Sequence, residues 1–156
     1  MTFRFILVLV FGVFIRFSVE VSMVSFYVIE TGLPDNGNDN RHSLLWENAL
    51  MDVFFEAGYI VSNAPVLRLE SKPQDDVLCQ LHMQNARSAG IDFLLITRLD
   101  FNSNTAPSEI SFYIYRVITK EKLFERQIQG RPGRQSREEF EYMKSIARGL
   151  IPYIAN

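Results

Sequence analysis

The sequence holds one cysteine, two histidines and one tryptophan among 156 residues. A lone cysteine excludes a disulfide framework, and one cysteine with two histidines is too small a set for a metal cluster. Cys79 reads as a thiol carried on a helix. Serine, histidine and aspartate occur, but none sits in a G-x-S-x-G, H-E-x-x-H or P-loop context. A surplus of positive charge is also missing. The formal net charge is −2, which argues against bulk binding to nucleic acid. No apolar run reaches the roughly 20 residues needed to span a bilayer. No cysteine follows the one run near the start, so a lipid-anchoring signal of the bacterial lipoprotein type is absent.

That run is itself informative. Arg4 precedes Phe5-Ile6-Leu7-Val8-Leu9-Val10-Phe11-Gly12-Val13-Phe14-Ile15, a short positive region followed by an apolar stretch. This is the layout of a secretory signal. Arg16 and Glu20 interrupt any longer span. Ser18, Ser22 and Ser25 are small, but no pair makes a clean small-x-small cleavage site. Residues 1–22 are therefore expected to be a signal peptide or an uncleaved N-terminal membrane anchor. Residues 23–156 form a single domain, periplasmic or envelope-associated. A buried core segment fits a uniform apolar run behind an arginine less well. In the domain the charge is split. Residues 23–109 carry 5 basic and 12 acidic side chains, net −7, and residues 110–156 carry 9 and 5, net +4. Such a split means solvated faces of opposite sign, or steering of a charged partner.

Val24, Phe26 and Val28 alternate with smaller or polar neighbours, a strand pattern that Glu30-Thr31-Gly32 ends. Residues 35–40 are all Asp, Asn or Gly. They resemble half of a calcium loop, but the distant bidentate Glu is missing, and the segment reads as a surface loop. Leu45, Trp46, Ala49, Leu50, Val53, Phe54 and Ala57 then recur at helical spacing over 43–57, with Glu47, Asp52 and Glu56 opposite. Gly58 is suited to close that helix. A second strand covers 59–64, and after Pro65 it can continue through Val66–Leu69 at an edge. Ser71-Lys72-Pro73-Gln74 is a capping box for a second helix. Val77, Leu78, Leu81, Ala86 and Ala89 point inward there, and Gln80, Gln84 and Arg87 point outward. Asp75 and Asp76 suit the positive end of that helix dipole better than acid–base or metal chemistry.

Gly90 to Phe101 is the centre of the pattern. Phe93-Leu94-Leu95-Ile96-Thr97 is apolar on both faces, as a strand covered on both sides must be. A fourth strand follows over 110–118, with Phe112, Ile114 and Ile118 on one face and Tyr113, Tyr115 and Val117 on the other. Leu123, Phe124 and Ile128 pair back as a hairpin. Ser136-Arg137-Glu138-Glu139 caps a last helix with an apolar stripe from Phe140 to Ile154, made irregular at Gly149 and Pro152. The fold class is α/β: a mixed five-stranded sheet with three helices in the order β-α-β-α-β-β-β-α. Right-handed crossovers make the first three strands parallel and give the order 2-1-3-4-5. Leu94, Leu95, Ile96, Phe112, Phe54 and Ile146 are the expected core.

Two helix–glycine–strand units, Ala57-Gly58-Tyr59-Ile60-Val61 and Ser88-Ala89-Gly90-Ile91-Asp92-Phe93-Leu94-Leu95, resemble those of bacterial envelope domains of the TolB N-terminal, CsgG and LpoB type. The stretch from Tyr113 to Phe124 resembles their last hairpin, with Ile118 where that hairpin has Asp and Lys120 where it has Gly. The resemblance covers residues 22–154. It implies an exported accessory protein that binds other envelope components and has no active site.

Neither histidine completes a catalytic set. His42 lies four residues before Trp46 and is expected to pack on its indole. His82 lies three residues after Cys79 on one helix, but nothing supplies a third group. A membrane-anchored subunit of a larger envelope complex is the alternative reading, and a small hydrolase is a further rival. No catalytic, cofactor-binding or metal residue is assigned, and no cofactor is expected. The candidate recognition residues are Arg131, Arg134 and Arg137, which bracket Pro132-Gly133 before the capped final helix. They could grip an acidic envelope protein or an anionic envelope polymer, or simply pair with Glu138, Glu139 and Glu141. A strand face carrying exposed Tyr113 and Tyr115 is the second candidate.

Overall fold

Strand β1 (Met23–Thr31) is hydrogen-bonded on both edges, and its apolar residues face both sides of the sheet. A computed structural model describes residues 21–32, 41–71, 75–102, 106–131 and 136–155, with residues 75–79, 81 and 136 as backbone alone. After β1 come α1 (Arg41–Glu56), β2 (Ile60–Asn63), β3 (Leu67–Leu69), α2 (Asp75–Ser88), β4 (Phe93–Asp100), β5 (Glu109–Arg116), β6 (Glu121–Gln129) and α3 (Ser136–Arg148). A 3-10 turn, Ile151–Tyr153, ends the chain where Gly149 and Pro152 stop the α-helix.

The sheet runs β2-β1-β4-β5-β6, with β3 also paired to β1. Strands β2, β3 and β4 all lie parallel to β1, and β5 and β6 are antiparallel. This is the expected order with six strands instead of five. Pro65 lacks the N–H that would continue the ladder, so the second strand splits into β2 and β3. Gly58 and Gly90 take left-handed φ values of 91° and 72° just past α1 and α2, where an L side chain would be strained.

Two apolar layers sandwich the sheet. On one face Phe26, Leu95, Phe112 and Ile114 pack under α1 and α3, with Trp46 edge-on to Phe112 at 5.2 Å. On the other, Leu94, Ile96, Tyr113 and Val117 pack with Met83, Ala86 and Ile91 from the α2 side. Leu94, Leu95, Ile96, Phe112 and Phe54 are buried as expected.

Several side chains sit elsewhere than expected. Ile146 is half-buried, and its neighbour Lys144 is drawn into the α1–α3 seam instead. Ala89 lies past the end of α2 and is exposed, while His82 and Met83 fill the inward positions. Ile118 leaves the β5 face for the β5–β6 turn and is 73% exposed. Glu47, placed on the outer side by helical spacing, is buried and accepts a hydrogen bond from the Asn63 amide on β2. The expected segment 1–22 (apart from its last two residues), the loop 35–40, capping residues 72–74 and the side chains of Val77, Leu78, Cys79 and Leu81 lie outside the described residues.

Candidate partner-binding surface

The carboxyl ends of the parallel strands are where open α/β sheets place their ligands. Here that position is filled by internally paired charges. Glu30, at the end of β1, is 1% exposed and faces α1. It accepts the Ser43 hydroxyl hydrogen bond from α1 and the Arg68 Nε–H bond at 3.0 Å from β3. Thr31, next along β1, points to the other face and donates to Asp100 at the end of β4. Arg98 Nε lies 3.4 Å from the same carboxylate, and its guanidinium sits 5.7 Å above the Tyr113 ring. Each buried carboxylate thus faces a cation and a hydroxyl, which is how buried charge is made tolerable. The arrangement ties β1, α1, β3 and β4 together. Among the described residues no group of three or more His, Cys, Asp or Glu could hold a metal ion. Sequence reading missed this cluster because Glu30 and Asp100 look like strand terminators. The available signal was a carboxylate at the end of each of two strongly apolar strands.

A second polar seam joins the two helices on the opposite layer. Lys144 of α3 donates to Asp52 Oδ2 and Glu56 Oε1 of α1, both at 3.1 Å. Its ammonium is held above the ordinary lysine pKa by the hydrogen bond to Asp52 and then by that to Glu56. At the other end of the seam His42 meets Glu139. Its ring lies 6.4 Å from the Phe101 ring. These ties join starts to starts and later turns to later turns, so α1 and α3 run parallel.

Between the two helices lies an open groove of about 710 Å³. Leu45, Met51 and Phe140 give it an apolar floor, and Asn48, Asp52 and Arg137 form its polar edge. The Lys144 ammonium sits 5.8 Å from the Phe140 ring, beside the same groove. An apolar floor with a fixed cation and anion at its edges can take one apolar side chain and a neighbouring charged group.

The five expected recognition residues are divided by the fold. Arg137 is exposed at the edge of this groove. Arg131 is exposed, with its guanidinium 5.0 Å from the Tyr142 ring of α3. Arg134 lies outside the described residues. Tyr113 and Tyr115 are on the opposite face of the sheet. Tyr113 is 8% exposed, not open to solvent as expected, because Arg98 and the α2 layer cover it. Tyr115 is half-buried and lines a groove of about 640 Å³ between α2 and the β5–β6 turn, with Arg87, Lys120 and Lys122. His82, in the same layer, packs its ring on Tyr27 at 4.0 Å, and burial lowers its pKa.

A family model described as "Uncharacterised protein" matches residues 25–112, from β1 through the first half of β5 and more than half of the chain. The chain belongs to that family. No curated protein matches it. Among solved structures, the chain is similar to two of the PelC dodecamer from Paraburkholderia phytofirmans. One is 13% identical with a TM-score of 0.54, covering 83% of this chain and 87% of that one. The other, of a variant with a single leucine-to-methionine substitution, is 18% identical with a TM-score of 0.50, covering 85% and 89%. TolB from Acinetobacter baumannii is 14% identical with a TM-score of 0.49, and the match covers 84% of this chain but 28% of that one. At these identities the likeness concerns the fold. TolB and the LpoB C-terminal domain, the types that the two helix–glycine–strand units resemble, are both among the similar structures, as a likeness of fold.

Proposed function

We propose that this chain is an envelope-associated module that works by holding other proteins and not by catalysis. The observation that carries this reading is the α1–α3 groove, whose apolar floor and charged edges are built to receive a side chain from outside. Its partner is a protein segment that presents an apolar residue beside an acidic one. The apolar residue enters between Leu45, Met51 and Phe140, and the acidic group meets Arg137. The consumption of Glu30, Asp100 and Lys144 in internal ties supports the same reading, since those groups are spent on holding the fold.

The N-terminal run supports placement in the envelope. The apolar run from Phe5 to Ile15 lies behind Arg4, and no clean small-x-small site follows it. We read the run as an anchor that stays on the chain. Membrane fractionation with N-terminal sequencing tests this; a mature protein beginning near Met23 in the soluble fraction would contradict it.

The binding reading is tested by a photo-crosslinking amino acid placed at Met51 in the full chain in cells. Discrete adducts with another protein are expected from position 51 and not from Gln127, an exposed residue of β6. The same adducts from both positions, or none from position 51, would overturn it.

A further inference from the structure

Among the described residues six large apolar side chains stand out as exposed: Val21, Leu44, Phe55, Ile60, Ile118 and Tyr153. Their distribution is uneven. Strands β1, β2 and β4 are parallel and start at one end of the sheet, where β5 finishes and β6 begins. Helix α1 comes down to the same end before β2, and α3 runs parallel to α1. Val21, Phe55, Ile60, Ile118 and Tyr153 all belong to this end; Leu44, in the first turn of α1, is the one exception. Phe55 and Ile118 are 70% and 73% exposed, far more than an incidental surface residue requires.

Cations accompany the apolar residues. Arg87 lies in the last turn of α2, Arg116 ends β5, Lys120 sits in the turn that carries Ile118, and Lys122 follows it in β6. The carboxylates at this end are engaged: Asp92 accepts the Met23 N–H at 2.8 Å, Glu56 meets Lys144, Glu121 lies 3.5 Å from Arg116, and Glu125 pairs with Lys122. Lys120 is also the one non-glycine residue with positive φ among those described, at 58°. A glycine would relieve that backbone. A lysine kept in a strained tip position points to a use for its charge.

The chain itself says what covers this end. Val21 follows the apolar run, and the six steps from Ile15 to Val21 extend at most about 20 Å. We infer that this end of the domain docks on the surface of an anionic lipid bilayer, with Phe55 and Ile118 inserted among the headgroups and Arg87 and Lys120 on lipid phosphates. The inference rests on the reading of residues 5–15 as a retained anchor. An amphipathic surface gains from apolar insertion and from attraction to anionic headgroups together. The α1–α3 groove begins at Leu45, toward the far end, so docking leaves it open to a partner.

The test uses the full chain with vesicles of phosphatidylethanolamine and phosphatidylglycerol, with and without bromine on the acyl chains. The native Trp46 is 1% exposed in the core and supplies a constant background. Flotation of the chain with vesicles reads the anchor. Quenching by bromine reads which end faces the lipid. Ile118→Trp is expected to lose at least about twofold of its added emission, and Leu44→Trp none, because only one end reaches the headgroup layer. The Ile118→Trp loss should shrink in neutral phosphatidylcholine vesicles. A chain that fails to float overturns the anchor and the inference with it. A chain that floats with Ile118→Trp unquenched overturns the docking alone, and a concentration-dependent blue shift without quenching would assign this end to a second copy.

Discussion

Replacing Glu30 with alanine should weaken the domain more than any other single polar substitution described for it. The carboxylate is 1% exposed and serves two donors from two elements. The Ser43 hydroxyl is itself fully buried, so losing its acceptor costs the desolvation of an unpaired group, about 1–3 kcal/mol. Arg68 retains 28% side-chain exposure, and water partly replaces its partner, for about 1 kcal/mol. The space left by the missing side-chain atoms adds about 1 kcal/mol. The total, about 3–5 kcal/mol, agrees with the cost of breaking a buried ion pair from one side. Glu30→Gln keeps the shape and one acceptor oxygen and should cost about 1–3 kcal/mol, since charge-assisted bonds are roughly twice as strong as neutral ones. The assay is a urea titration followed by circular dichroism and by Trp46 fluorescence, which reports the seat of α1 on the sheet. At about 2 kcal/mol per molar urea, Glu30→Ala should move the midpoint down by about 2 M. A shift worth less than about 0.5 kcal/mol would refute the view that this cluster ties α1 to β1.

Leu95→Ala should cost about 2–5 kcal/mol in the same titration, because Leu95 is fully buried in the central strand; Ile146→Ala, half-buried, should cost less. Burial holds the His82 pKa in the fold below the ordinary histidine value of 6.5. The unfolded chain therefore takes the proton first, and stability held above pH 6.5 falls as pH drops through the folded value. His82→Leu should flatten that part of the melting-temperature profile, and an unchanged slope would exclude His82 as its source. Lys120→Gly should leave the protein equally stable or more stable by up to about 1 kcal/mol in thermal melts, since the backbone there is already left-handed. A loss of stability would mean that the lysine side chain holds the turn.

How much of this was readable beforehand follows from what each feature depends on. The central strand and the strand order rest on local runs and on the handedness of crossovers, and both were legible from Phe93-Leu94-Leu95-Ile96 and from the helix–glycine–strand units. The break at Pro65 was seen, but whether it ends a strand depends on its neighbour β1. Lys144 was unreadable as a buried residue because its partners, Asp52 and Glu56, lie 92 and 88 positions away. Ile118 fits the alternation of a strand face, yet the turn closes before it and turns it out to solvent. Arg137 was singled out in the sequence from its place at the start of the last helix, α3. The groove beside it could not be, because its floor comes from two helices at opposite ends of the chain.

The central claim is that the α1–α3 groove holds a partner, and affinity for the protein crosslinked at position 51 tests it most directly. Met51→Glu places a charge on the apolar floor, and Arg137→Gln removes the cation at its edge. Each should weaken binding at low salt, Met51→Glu by at least about tenfold, equivalent to 1.4 kcal/mol. Arg137→Gln should change the melting temperature little, because Arg137 is exposed, whereas Met51→Glu should lower it, because Met51 is half-buried against the core. Added salt should weaken the wild type more than Arg137→Gln. Affinities equal to the wild type in both variants, with their folds intact, would contradict the account.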